Sequence, residues 1–249
     1  MADAGVPVPP YSKLSAVYDH VMRHVDYKRW ARHVVDLLKL GGMKEGTILE
    51  AACGTGTLSL LLPRRRFTIL AFDSSEEMLA IARRKAQRRP DIMFFRADLT
   101  SFRPPAPVDA VICLYDSVNY LIDPGDVRRF LECVRAALLP GGLLIMDAAT
   151  EHNSVSNTAL LRDSGTVRSA SYIRDNYYVP EEKIHYTEFT IRTTEGTFLE
   201  RHRERLYSEK EIDGFLRRAR FGEVRALDDF NLGPATAESD RMHFLAKAV

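Results

Sequence analysis

The sequence predicts an α/β protein built on a Rossmann-like sheet of seven strands, with helices before it and a β-rich insertion after its fifth strand. Three observations carry this. Between Thr47 and Met146, short apolar runs alternate with amphipathic helical stretches. The first run ends in a glycine-rich turn, Ala52-Cys53-Gly54-Thr55-Gly56. After Asp147 the helical rhythm gives way to a period of two, as in Ile184-His185-Tyr186-Thr187-Glu188-Phe189-Thr190-Ile191.

The elements follow in order. Residues 1–10 read as a flexible tail. Residues 12–40 carry apolar residues at helical spacing and predict two helices, stopped by Gly41-Gly42. Thr47–Ala51 is a short buried strand, and Leu58–Leu62 begins a helix that Pro63 closes. Phe67–Phe72 is the second strand. Ser75 caps a helix over Glu76–Gln87, with Glu76 and Glu77 in its first turn. Ile92–Phe95 and the almost wholly apolar Val108–Tyr115 are the third and fourth strands. Asp126–Leu138 is a helix broken by Pro140-Gly141-Gly142, and Leu143–Met146 is the fifth strand. Residues 170–207 read as antiparallel strands with a tight turn at Glu195-Gly196. A helix from Ser208 and strands at Glu223–Leu227 and Met242–Ala248 complete the sheet. The expected organisation is an N-terminal helical cap (1–40), a Rossmann-like core (41–149), an antiparallel insertion forming a substrate wall or lid (150–207), with the cap closing the other side of the pocket, and a C-terminal completion (208–249).

Composition sets the frame. Of 249 residues, 35 are Lys or Arg and 34 Asp or Glu, a net charge of +1 that gives no electrostatic reason for nucleic acid as an obligatory partner. Three scattered cysteines form neither a C-x-x-C pair nor a disulfide framework. With no secretory leader and no apolar run of membrane-spanning length, these features lead us to expect a cytoplasmic protein away from the membrane.

The chemistry concentrates at the glycine turn. Gly54 and Gly56 let the backbone bend sharply and approach a ligand closely. A dinucleotide site requires G-x-G-x-x-G/A, whereas the third position here is Ser59 and an acid, Glu50, precedes the turn. That acid suits a cationic ligand better than a pyrophosphate. S-adenosyl-L-methionine has a sulfonium and an ammonium and no phosphate. Asp73 ends the second strand, where a carboxylate can accept both hydroxyls of a ribose, and Asp98 follows the third, within reach of an adenine amino group. Three acids thus close three successive strands, at the edge where open α/β sheets bind ligands.

With Leu138-Leu139-Pro140-Gly141-Gly142 before the fifth strand, these motifs resemble the class I S-adenosylmethionine-dependent methyltransferases from about Tyr11 onward. The first glycine of their usual pattern is Ala52 here. The resemblance implies cofactor contacts at Glu50, Ala52, Gly54, Gly56, Asp73, Met78, Asp98 and Leu114. Ser74 and Leu99, beside two of the acids, join them, as do Tyr11 and Tyr18 from the cap. It also implies S-adenosyl-L-homocysteine as product.

The turn after the fourth strand, Leu114-Tyr115-Asp116-Ser117-Val118-Asn119-Tyr120-Leu121, lacks both the Asp/Asn-Pro-Pro-Tyr/Phe of base-amino methyltransferases and the Pro-Cys of cytosine C5 enzymes. Its D-S-x-N-Y-L string resembles a bacterial subgroup of small-molecule type, and glycine and aminosugar N-methyltransferases are similar more loosely. A small-molecule acceptor is therefore expected, nitrogen ahead of oxygen, by in-line displacement without metal. An RNA or protein acceptor and a non-catalytic scaffold are the alternatives, and a homodimer is compatible. Asp116 and Tyr115 are the catalytic candidates. Asn119, Tyr120, Tyr172, His185 and His202 are the substrate candidates.

Overall fold

A computed structural model describes residues 5–157, 162–168 and 170–249. In chain order the elements are β1 (Val6–Pro7), α1 (Tyr18–Val21), α2 (Tyr27–Leu40), β2 (Gly46–Ala51), α3 (Thr57–Leu61), β3 (Phe67–Asp73), α4 (Glu76–Lys85), β4 (Ile92–Arg96), β5 (Val108–Cys113), α5 (Pro124–Ala137), β6 (Leu138–Ala149), α6 (Glu151–Asn157), β7 (Asp163–Val167), β8 (Ala170–Val179), β9 (Ile184–Thr193), β10 (Gly196–Arg205), α7 (Glu209–Arg218), β11 (Phe221–Asp228) and β12 (Arg241–Ala248).

The seven-stranded sheet has the order β11-β12-β6-β5-β2-β3-β4. β2 to β6 run parallel, while β12 pairs antiparallel with both β6 and β11. Because side chains alternate across a strand, each central strand feeds two cores. Leu49, Val111 and Leu144 meet Val127 and Phe130 of α5 and Ile212 and Leu216 of α7. Ile48, Ala110 and Ile145 meet Val34, Leu37 and Leu38 of α2. This double burial explains why the strands read as continuous apolar runs. Local caps agree with it: Asp26, Ser75, Asp123 and Ser208 accept backbone N–H groups at the starts of α2, α4, α5 and α7.

A second sheet, β1-β10-β9-β8-β7, is formed between β6 and α7 in sequence, apart from its N-terminal edge strand. Its inner face is written in rows by register. Glu204 lies opposite His185 and Tyr178, His202 opposite Thr187 and Asn176, and Glu200 opposite Phe189 and Arg174.

Four expectations are corrected. Residues 1–4 of the expected tail lie outside the described residues, but Val6 and Pro7 pair with Phe198 and Leu199, so the segment from Gly5 is docked. The first N-terminal helix is only α1 between two 3-10 turns, Leu14–Ala16 and Met22–His24. Pro140-Gly141-Gly142 lies within β6. Val108 faces Leu138 and Ala110 faces Leu143, so the excess residues bulge between them. Finally, the N-terminal segment and the insertion do not close opposite sides. Leu14, Val17, Val21 and Met22 share a core with Tyr172, Phe189 and Ile191, which makes them one cover.

Candidate active site

A cavity of about 820 Å³ lies between the carboxyl ends of the core strands, the segment from Pro9 to Trp30, and the inner face of β8–β10.

Its floor is the glycine turn. Ala52, Gly54 and Gly56 all have positive φ, at 55°, 55° and 70°. Ala52 tolerates this at a cost that a glycine would escape. Asp73 organises the turn: its Oδ2 accepts from Gly54 N at 2.8 Å and its Oδ1 from Ser75 N at 2.9 Å. Glu50 accepts a short hydrogen bond from Ser59 Oγ. Burial pushes its carboxyl up to about 7 against that bond. A cation beside Glu50 would relieve the penalty. Asp98 sits at the rim, accepting from Thr100 N and Oγ1. Ala52, Gly54, Ser74, Met78, Leu99 and Leu114 line the cavity with these acids. Gly56 does not. A Cβ there would lie 2.9 Å from the Phe94 ring, so this glycine serves the packing beneath the turn.

One wall is the N-terminal strap. Buried Glu200 accepts from the backbone N–H groups of Tyr11 (2.8 Å), Lys13 (2.6 Å) and Leu14 (2.8 Å). Lys85 donates to Asp19, Thr55 and Thr57 and ties α1 to the glycine turn. Tyr11 and Tyr18 therefore stand over the cavity, their rings 5.9 Å apart.

The roof carries a relay. Tyr11 Oη donates to Tyr120 Oη at 2.6 Å, Tyr120 Oη lies 3.0 Å from His202 Nδ1, and His202 Nε2 lies 3.3 Å from Glu200. Burial raises the Tyr11 and Tyr120 hydroxyls well above their ordinary values, which keeps both protonated. His185 Nδ1 lies 3.0 Å from Ser154 Oγ, and burial lowers its titration.

Tyr115 and Asp116 both line the cavity, in the left-handed region at φ 61° and 63°. Strain at two consecutive residues facing a cavity is a mark of a functional turn. Asp116 is not free, however. Arg241 donates to it through both terminal nitrogens and also to the wholly buried Asp147. The guanidinium lies 5.3 Å from the Trp30 ring centroid and 5.2 Å from that of Tyr115. Burial raises the Asp147 carboxyl, and Arg241 opposes that.

Two substrate candidates lie away from the cavity lining. Asn119 is fully buried and clamps the turn, donating to Ala149 O and Arg205 O and accepting from Ala149 N. Tyr172 packs beneath the strap and bonds to Asp163 and Arg23. Conversely, Glu204 and Arg241 line the cavity and were not among the candidates. Glu204 was within reach of sequence reasoning. In a strand, the residue two beyond His202 shares its face. Arg241 carried no such signal.

A family model described as a methyltransferase domain matches residues 48–142. A crystal structure of an S-adenosylmethionine-dependent methyltransferase from Clostridium acetobutylicum superposes with a TM-score of 0.77 at 26% identity, over 95% of this chain and 98% of that one. YqeM of Bacillus subtilis (strain 168), which carries a methyltransferase name, is 31% identical over 95% of this chain and 96% of its own length. The chain belongs to the S-adenosylmethionine-dependent methyltransferases. This methyltransferase is also 30% identical, over 59% of its length, to a dTDP-3-amino-3,6-dideoxy-alpha-D-glucopyranose N,N-dimethyltransferase of Streptomyces fradiae, of which 57% is covered. The fit to S-adenosylmethionine is chemical. The floor offers carboxylates and backbone donors in a sharp turn, and the buried Glu50 is in want of a cation. Among the described residues, no helix is long and apolar enough to cross a membrane.

Proposed function

We propose that this methyltransferase methylates an amine nitrogen of a small molecule, with Glu50, Ala52, Gly54, Asp73, Ser74, Met78, Asp98, Leu99 and Leu114 holding S-adenosylmethionine and Tyr11 and Tyr18 covering its methionine end. The bound cofactor supplies an electrophilic methyl on a sulfonium, whose departure as a neutral thioether requires no metal. The protein excludes water, orients the acceptor and manages its proton.

The observation that carries this reading is the cluster of acids in and behind the acceptor half. Asp116, Asp147 and Glu204 meet there with Arg241, beneath a strap and a roof that enclose the space. Burial holds protons on Asp147 and Glu204, and a cationic guest would draw the Glu204 carboxyl into its charged form where an anionic guest would oppose it. The enclosure favours a small guest over RNA or a folded protein. The aminosugar N,N-dimethyltransferase among the relatives is in keeping with a small amine.

The test is labelling of a cell extract with tritiated-methyl S-adenosylmethionine and the pure protein, followed by fractionation by size. Label in small molecules, in amine-bearing fractions, is expected. Label confined to RNA or protein would refute the reading.

A further inference from the structure

We propose, resting on the amine reading above, that Glu204 is a catalytic residue that takes the proton from the acceptor's ammonium, with Tyr120 as the positioning residue for its carboxylate.

The other acids in and around the cavity are already engaged. Asp73 is held by Gly54 N and Ser75 N, Glu50 by Ser59, and Asp98 by Thr100. Glu200 is taken up by the strap and His202. Asp116 and Asp147 share Arg241. Glu204 lines the same cavity, and the neutral Tyr120 hydroxyl beside it favours its ionised form. A phenol positions a carboxylate without neutralising it. Glu204 thus keeps capacity to accept from a guest.

Its surroundings come from every neighbouring element. Asp116 precedes the 3-10 turn that carries Tyr120, Asp147 comes from β6 and Arg241 from β12. His185 of β9 is paired with Glu204 across the sheet, and Tyr11 of the strap and His202 of the same strand reach it through Tyr120. Burial and the charge of Asp116 raise the carboxyl to about 8, against Tyr120 and Arg241. A general base works best with an affinity for protons near the working pH, and that position meets the requirement.

The step balances simply. An alkylammonium has no lone pair on nitrogen. As the ammonium enters, the Glu204 carboxyl gives its own proton to solvent; as carboxylate it then takes one proton from that ammonium, leaving a neutral amine and a neutral carboxyl. The lone pair exposed on nitrogen is what an electrophilic methyl requires, and the methylated product carries the remaining charge as its own ammonium. No oxidant or metal enters.

The experiment needs no knowledge of the acceptor. Sinefungin carries an amino group on the carbon that replaces the methylated sulfur of the cofactor, so its ammonium takes the place of the transferred methyl and faces the acceptor's side of the cavity. S-adenosylhomocysteine lacks that group. Both ligands would be titrated calorimetrically near neutral pH in buffers of different ionisation enthalpy, into wild type and Glu204→Gln. Wild type should bind sinefungin about tenfold more tightly than S-adenosylhomocysteine. It should also release about one proton more with sinefungin, because the carboxyl and ammonium together hold one fewer once paired. E204Q should bind S-adenosylhomocysteine as wild type does and lose both differences. Persistence of both differences in E204Q would overturn the proposal. So would equal proton release by wild type with the two ligands, a readout that stands even if E204Q fails to fold. Wild type that binds neither ligand would instead overturn the cofactor assignment, and this proposal with it.

Discussion

Arg241 holds Asp116 in a two-nitrogen grip across 125 positions of chain, and the same guanidinium reaches Asp147. This ties the last strand of the sheet to the strained turn after β5. Replacing Arg241 with Ala leaves two carboxylates facing one another in a buried site. We expect a loss of about 3–5 kcal/mol of stability, measured by chemical denaturation. Arg241→Lys should recover only part of it, since an ammonium cannot reproduce the fork. A loss below about 1 kcal/mol for R241A would show that the triad is not structural.

Glu50 predicts a pH dependence. Its folded-state carboxyl lies at about 7, above its ordinary value. The folded protein therefore keeps a proton that the unfolded chain releases earlier. Its favourable contribution is complete below the unfolded value and is lost as pH rises through about 7. A ligand ammonium beside Glu50 reverses the sign, because it favours the ionised form. The rise in melting temperature produced by S-adenosylhomocysteine should grow between about pH 6 and 8. Glu50→Gln should flatten that growth. The same slope in wild type and E50Q would remove Glu50 from the ammonium site.

Asp73 both shapes the glycine turn and offers itself to a ribose. Asp73→Ala should weaken S-adenosylhomocysteine binding by about 1–3 kcal/mol in calorimetry. Unchanged affinity would place the ribose elsewhere.

The strap hangs on Glu200. Glu200→Ala leaves three backbone N–H groups without their acceptor, at a cost of about 1–3 kcal/mol for each one that stays buried. Amide hydrogen exchange at Tyr11, Lys13 and Leu14 should accelerate in this variant. In wild type, S-adenosylhomocysteine should slow exchange across residues 11–40, since Tyr11 and Tyr18 line the cavity. Identical protection with and without ligand would mean that the strap is a fixed wall and not a cover.

The legible part of the site was the part governed by local rules. Glu50, Asp73 and Asp98 could be placed at one edge because each closes a buried apolar run, and strands of a parallel sheet end together. The second sheet was legible from its period of two. Asn119 was misplaced because a polar residue beside a ligand turn has two readings. Only the fold shows the buried carbonyls of Ala149 and Arg205 that claim its amide. Tyr172 shares the inner face of its sheet, but the strap residues Leu14 and Val17 pack in its cluster. Arg241 belongs to a strand whose neighbour in space, β6, is far away in sequence, and no spacing rule links it to Asp116. Gly56 was correctly seen as a turn glycine, but the Phe94 ring beneath it is a fact of packing.

The roof has a consequence for how such an enzyme changes over time. Every second residue of β8, β9 and β10 faces the cavity side, while the residues between them face outward. The glycine turn and its three acids lie on other strands altogether. A few codon changes at Arg174, Asn176, His185 and Thr187 would remodel the guest's surroundings with the floor and the strap left intact. Cofactor affinity and acceptor preference are thus separately mutable traits of one chain, and lineages sharing this floor are free to diverge in what they methylate.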